Sequence, residues 1–358
     1  MKIAYLINYS LDDKCGVVQK IKQQSKQWIL QGHIVYFISL KTMSVYDSNQ
    51  NIILKQKTLD IKFGRFGTAL KLLYNAYYAH KLFKSIEVDC IYMRYQYYMP
   101  FINNIFKKNK VIMEINSDDK QEYKLHSHLT SIYNKLTRDL FLRHIDAFVS
   151  VSFELKNKFE YLNRPIKVIA NGIDVNEYKI SIRKLNKEPI LVFIGTPNQP
   201  WHGLDKIKIL AKYFKKYQFY IIGTDGEDTY NIKYFGFLSS IESTKIINRC
   251  DIGIGTLSLF KTGLKEASPL KTRQYLACGL PLIYAYKDTD IHEEAEFGLQ
   301  LQNTENNIDY KKIEQFVNNV FNNKDTSEKA RKFAEDILKY EKKEEERLSF
   351  FKRVVYDN

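Results

Sequence analysis

The chain has 358 residues, 44% of them hydrophobic, which is enough for two cores and long for one ordinary domain. Its 55 Lys and Arg against 41 Asp and Glu leave a net charge of +14. The 4 cysteines are scattered without a CxxC pair, which excludes a disulfide framework or a thiolate zinc site, and no long apolar run is present to span a bilayer.

In chain order, residues 2–8 predict a strand that is too short, and too polar beyond Asn8, to be a signal peptide, so a reducing cytoplasm is expected. Residues 17–30 predict a helix, followed by a turn at Gly32-His33 and a strand over 34–39. Residues 89–94 and 110–115 read as buried strands, 134–144 as a helix, and 147–151 and 167–170 as strands. The polar run 181–188 reads as a linker, after which the alternation restarts. Strands are predicted over 189–195, 219–223, 232–237 and 251–257, with helices over 204–214 and 241–249. Past residue 303 the chain is mostly helical and ends in a charged helix over 339–356 carrying Leu348, Phe350, Phe351 and Val354. Alternation of this kind implies parallel sheets with helices on both faces. Two such halves leave a cleft, the usual place for a ligand in α/β folds.

The charge is unevenly spread. Residues 1–180 hold 27 basic and 16 acidic groups, and 51–110 alone hold 11 and 3. Within that segment, residues 62–84 mix basic and aromatic side chains at helical spacing. Either the aromatics pack inward beneath a solvated face, or the surface docks on anionic lipid headgroups as a peripheral membrane contact. No reading motif for nucleic acid accompanies the charge, and none is expected as a partner.

The loop after the first strand has only Gly16 where a dinucleotide fold needs GxGxxG, and there is no Walker A loop. Gly16, opening a helix, can still contact a small anion or sugar. Asp288-Thr-Asp290 matches a three-residue metal motif but reads as a solvated loop, and the 7 histidines show no metal spacing, so no metal is predicted.

The stretch 266–283 carries the most chemistry. It reads as a loop, a helix N-capped by Ser268 with Pro269 in its first position, a stop at Gly279, and a strand over 282–284. Free N–H groups and the dipole of that helix favour a phosphate. Gln274 shares a stripe with Leu270, Ala277 and Cys278, so a polar group interrupts an apolar face.

The order of the Gly16 loop, the Gly32-His33 turn, Asn171-Gly-Ile-Asp174, Phe193-Ile-Gly195, Trp201-His-Gly203, Glu266…Gln274 and Ala277-Cys-Gly-Leu-Pro281 resembles the retaining family-four glycosyltransferases over nearly the whole chain. The resemblance implies an α/β chain of GT-B fold. That fold has two Rossmann-like domains facing across a cleft, here residues 1–180 on the acceptor side and 181–335 on the donor side, with a C-terminal helix, 336–358, crossing back to the first domain. It also implies a nucleotide-diphosphate sugar as co-substrate, no further cofactor, and a glycan or lipid-linked glycan acceptor in polysaccharide (capsule or O-antigen) assembly at the inner membrane face.

By the same resemblance Glu266 opens an E-x7-E motif and holds donor-sugar hydroxyls, and backbone N–H groups near Ser268 and Leu270 hold the diphosphate. Gln274 stands where the family's second Glu grips the ribose; a neutral amide can still accept one hydrogen bond and donate another. The family's two cationic diphosphate ligands are replaced by Thr196-Pro197 and His202. Lys271 and Arg273 are then expected to stabilise the leaving diphosphate, with His202 and Lys206 behind them. Gly195 and Phe237 complete the donor-binding set, and Arg94, Glu114 and Asn116, at strand ends of the first domain, join Gly16 on the acceptor side. Two rival readings remain: a sugar-nucleotide epimerase of the same fold, and a catalytically weak binding partner.

Overall fold

Parallel strands cannot be joined by a tight turn, and most consecutive pairs here are connected through a helix that covers one face of the sheet. The structure, a computed structural model, describes residues 1–59, 64–180, 185–306 and 308–357. It divides into unit 1, Met1–Ile169 with Glu344–Asn358, and unit 2, Ala170–Lys343. The boundary falls at 169/170 rather than 180/181. Ile173 bridges to Lys339, and Asn171 donates its backbone N–H to the Ser268 hydroxyl at 2.8 Å, which commits this segment to unit 2. Residues 181–184 of the expected linker, and Lys62 at the head of the basic helix, lie outside the described residues.

Unit 1 is built on strands β1 (Lys2–Ile7), β2 (Ile34–Ser39), β3 (Ser44–Tyr46), β4 (Ile52–Lys55), β5 (Cys90–Arg94), β6 (Lys110–Ile115), β7 (Ala147–Ser150) and β8 (Ile166–Val168), in the order β4-β3-β2-β1-β5-β6-β7-β8. All neighbours from β2 to β8 are parallel. The antiparallel pair β3 and β4 is an addition to the expected pattern. Asp47 makes the turn between them, its carboxylate accepting the backbone N–H groups of Asn49 at 2.9 Å and Asn51 at 2.8 Å, an Asx turn hidden in an unremarkable polar run. The helix expected over 134–144 is longer and starts earlier, at His128–Leu142.

The core of unit 1 is an aromatic cluster. Tyr5 stacks on Trp28 with ring centroids 5.4 Å apart, and Phe351 lies 5.6 Å from Trp28 and 4.9 Å from Tyr92. Leu348, Phe350 and Phe351 of the last helix, Tyr340–Tyr356, are buried among the same residues, so hydrophobic burial recruits the chain end to unit 1. Charge fixes how it sits. Glu344 accepts from Trp28 Nε1 at 2.7 Å and from Arg347 Nε at 2.8 Å, and Arg347 also lies 3.5 Å from Glu114 on β6.

Unit 2 holds a six-stranded, wholly parallel sheet of β9 (Ile190–Ile194), β10 (Gln218–Ile222), β11 (Ile232–Tyr234), β12 (Ile252–Ile254), β14 (Leu282–Tyr284) and β16 (Gly298–Gln300), in the order β11-β10-β9-β12-β14-β16. Two short strands, β13 (Glu266–Ala267) and β15 (Lys287–Asp288), pair separately; the first falls where a loop was expected. Helix Leu270–Ala277 starts one residue later than expected, with Pro269 in the capping position. Ser268 lies one residue ahead of that position, and its hydroxyl accepts the Asn171 N–H instead.

Replacing Arg347 with Met would leave Glu114 and Glu344 buried and under-compensated. The expected cost is about 3–5 kcal/mol, read from urea unfolding followed by Trp28 fluorescence; a change below about 1 kcal/mol would contradict the role given to Arg347.

Candidate functional site

Glycines close the strands at the carboxyl edge of the unit 2 sheet: Gly195 after β9, Gly223 after β10 and Gly255 after β12. Gly195 donates its N–H to Ile222 O at 3.0 Å. Gly223 has φ +88°, and a Cβ there would stand 2.2 Å from Gly195 O. A Cβ on Gly195 would meet the Phe193 ring at 2.6 Å and His202 Nδ1 at 2.7 Å. Side chains are thus excluded along the edge where ligands bind in open α/β sheets.

The helix Leu270–Ala277 is docked against this edge by its buried face. Tyr275 accepts the Ile194 N–H at 2.8 Å through its hydroxyl, and its ring fills the space that a Cβ on Gly253 would occupy. These contacts bring the helix start beside the end of β9. There the Lys271 stem is half-buried while its ammonium is buried, without a hydrogen-bond partner, 4.2 Å above the centroid of Phe193. Burial pulls this lysine down to about 7. His202 sits in the same pocket of charge. Burial, and then the positive charge of Lys271, push its imidazole down to about 2, so it is neutral at physiological pH and hydrogen-bonds the backbone of Thr196. His202 is held from the other side: its carbonyl accepts Leu257 N–H at 3.2 Å, and Gly203 packs so closely that a Cβ would lie 2.8 Å from Leu257 Cβ.

Gly195, His202 and Lys271 therefore come together, with Ser268 and Leu270 just ahead of Lys271 on the chain. Glu266 is buried on β13, and Gln274 is half-buried on the helix. The buried polar groups of the helix are Thr272 and Arg273, not Gln274. Arg273 is fully buried and its charge is already matched. Its guanidinium donates to both Asp288 oxygens, one at 2.8 Å, and to Asp290 at 3.0 Å, while Nε reaches Asn171 O at 3.2 Å. Lys343 adds a 2.6 Å bond to Asp290. Asp288-Thr-Asp290 is thus the anchor of an internal ion-pair knot rather than a solvated loop, and Arg273 holds that knot instead of presenting a free cation. Lys206 is also engaged, donating to the carbonyls of Leu257 at 3.0 Å and of Thr304. Phe237 is 66% exposed beyond β11. Among the described residues, no group of three or more His, Cys, Asp or Glu side chains is placed to hold a metal ion.

In unit 1, Gly16 is exposed at the start of the helix Gly16–Leu30. Glu114 is fully buried rather than directed at an acceptor. It accepts from Lys20 at 2.6 Å, Tyr92 at 2.5 Å and Asn116 at 2.8 Å, with Arg347 at 3.5 Å and Arg94 at 4.0 Å. Burial alone would raise this carboxyl, but Lys20, Arg347 and Arg94 overcome it and hold the group well below its ordinary range. Burial lowers Lys20 to about 8 against the pull of Glu114. Asn116 also accepts from Lys20 at 3.2 Å, and the partly exposed Arg94 forms the open side of the cluster.

No protein-family model matches the chain, and no curated protein matches it. Among solved structures it resembles sucrose-phosphate synthase from Thermosynechococcus elongatus, with TM-score 0.79 and 11% identity over 100% of both chains. It also resembles a glycosyltransferase from Rickettsia africae (TM-score 0.68, 15% identity, 100% of this chain and 99% of that one). A third similar structure is Anabaena HepE in complex with UDP-glucose (TM-score 0.62, 15% identity, 98% and 100%). The chain has the GT-B fold of these glycosyltransferases, each unit built on a Rossmann-like parallel sheet.

A buried ammonium is a stability penalty wherever it is charged. With its folded value near 7 and an unfolded value of about 10.4, the penalty is full below pH 7 and vanishes above the unfolded value. Lys271→Met should therefore raise the melting temperature at pH 6–7, with the gain shrinking as pH rises toward 10. Thermal unfolding across that range checks this; a variant less stable than the parent at pH 6 would show that the ammonium is compensated.

Proposed function

We propose that the chain is a glycosyltransferase that moves a sugar from a nucleotide-diphosphate sugar to a glycan acceptor, with retention of anomeric configuration. The observation that carries this reading is the Lys271 ammonium, buried without a hydrogen-bond partner at the start of a helix, on a glycine-lined sheet edge. A diphosphate supplies the missing partner, and the free N–H groups and dipole of the helix add to its binding. Likeness in fold to HepE, a structure holding UDP-glucose, supports the donor class.

In this reading the diphosphate gains negative charge as the glycosidic bond to the donor breaks. Lys271 takes up a proton as the anion arrives and stabilises that charge. Neutral His202 offers a hydrogen bond rather than a charge. Glu266 positions sugar hydroxyls, and Gln274 binds the ribose through its amide. The leaving phosphate deprotonates the acceptor hydroxyl on the same face, so positioning replaces a protein nucleophile. A lipid-linked acceptor, in capsule or O-antigen assembly at the inner face of the membrane, fits the 11 basic and 3 acidic groups of residues 51–110.

Calorimetric titration with UDP, GDP, ADP and CMP is expected to find one nucleotide that binds the parent and binds Lys271→Met at least tenfold more weakly. No binding by any of the four would refute the reading. With the matching nucleotide-sugar and a glycan acceptor, Glu266→Ala should lose about 100-fold in kcat/KM, and NMR of the parent's product should show the donor's anomeric configuration.

A further inference from the structure

The helix His128–Leu142 is turned inside out. Its buried face carries Asn134 and Arg138, which bond Asp119 at 2.6 Å and 2.8 Å, beside Phe141 and Leu142. Its outward face carries Leu129 at 76% exposure, Ile132 at 44%, Leu136 at 72% and Leu140 at 40%. Spacings of three and four residues place these side chains in one stripe along the helix. A helix face in water normally carries the opposite pattern, and a continuous apolar stripe of this kind marks an interaction surface.

The stripe does not stand alone. Asn103 donates to Leu140 O at 3.4 Å and Tyr133 to Tyr98 O at 2.8 Å, so the loop after β5 runs alongside. That loop presents Phe101, 47% exposed and held in edge contact with the exposed Tyr77 at 5.3 Å. Positive charge borders the same region. Arg143 follows the helix, and Arg143 and Lys107 both act on the His144 imidazole, which burial and these two cations lower. Lys135 lies on the helix itself, Lys124 just before it, and Asp139 is the acidic group on its exposed side. Apolar residues flanked by cations match an anionic lipid surface, where the leucines enter the acyl boundary and the cations meet the headgroups. Among the described residues no helix is long and apolar enough to cross a membrane, so the fit is to the interface.

We propose that the outward face of helix His128–Leu142, with Phe101 and Tyr77 beside it, inserts into the surface of an anionic lipid bilayer. The inference stands apart from the transfer reaction and extends the lipid contact from the basic segment 51–110, which supplies Tyr77 and Phe101, to a leucine stripe beyond it.

The test is flotation of the full chain with vesicles of phosphatidylglycerol and phosphatidylcholine, without any nucleotide-sugar. The parent should float with them, remain bound in part at high salt, and float poorly with phosphatidylcholine alone. The double variant Leu129→Ser/Leu136→Ser should lose at least about tenfold in partitioning with unchanged thermal unfolding. Failure of the parent to float, or equal flotation of the variant, overturns the proposal. So does a parent dimer in light scattering that the variant turns into monomer, because a second copy would then be the occupant.

Discussion

The architecture of unit 1 depends on one buried carboxylate. Glu114 has no access to water, and an ion so placed is tolerated only with close opposite charge and its lone pairs filled. Lys20 from the first helix, Arg347 from the last, Arg94 from the neighbouring strand and the hydroxyl of Tyr92 provide this. These partners come from three separate stretches of chain, the first helix, β5 and the last helix. The charge thus acts as a register pin: the first and last helices must take these positions or leave Glu114 exposed to a large desolvation cost. Glu344, bonded by Trp28 and Arg347, extends the same network to the aromatic core.

Unit 2 solves a different problem with the same chemistry. Arg273 is saturated by Asp288, Asp290 and the carbonyl of Asn171, which knots the helix Leu270–Ala277 to the segments on either side of it. Tyr275 fastens the same helix to β9. With these anchors filled, Lys271 is left over, its ammonium above the Phe193 ring and without a hydrogen-bond partner. The contrast between two neighbouring cations, one fully matched and one without a hydrogen-bond partner, distinguishes them more sharply than their common charge does.

Much of the fold was legible in the sequence, because buried parallel strands such as 190–194 are unbroken apolar runs between amphipathic helices. The β3–β4 hairpin was not, since its strands are short and its turn is made by the Asp47 side chain rather than by glycine. At the site, the meeting of Gly195, His202 and Lys271 followed from motif order. The division of labour between Lys271 and Arg273 did not. Nothing local distinguishes them; the difference lies in Asp288 and Asp290, fifteen and more residues along, and in the Phe193 ring eighty residues earlier. The outward leucines of the helix 128–142 were equally hidden, because periodicity reveals an apolar stripe but not which side of the helix meets water.

The return of Glu344–Asn358 to unit 1 has a consequence for synthesis. Unit 1 begins to emerge from the ribosome before unit 2 and is finished after it. Until the final helix is made, Glu114 lacks Arg347, Trp28 lacks its carboxylate partner, and the aromatic core lacks Phe351. Domains usually fold in the order in which they emerge. Here the order is reversed in effect: the whole of unit 2 is translated, and can complete its sheet, while unit 1 waits as an open half-core for the last few turns of helix.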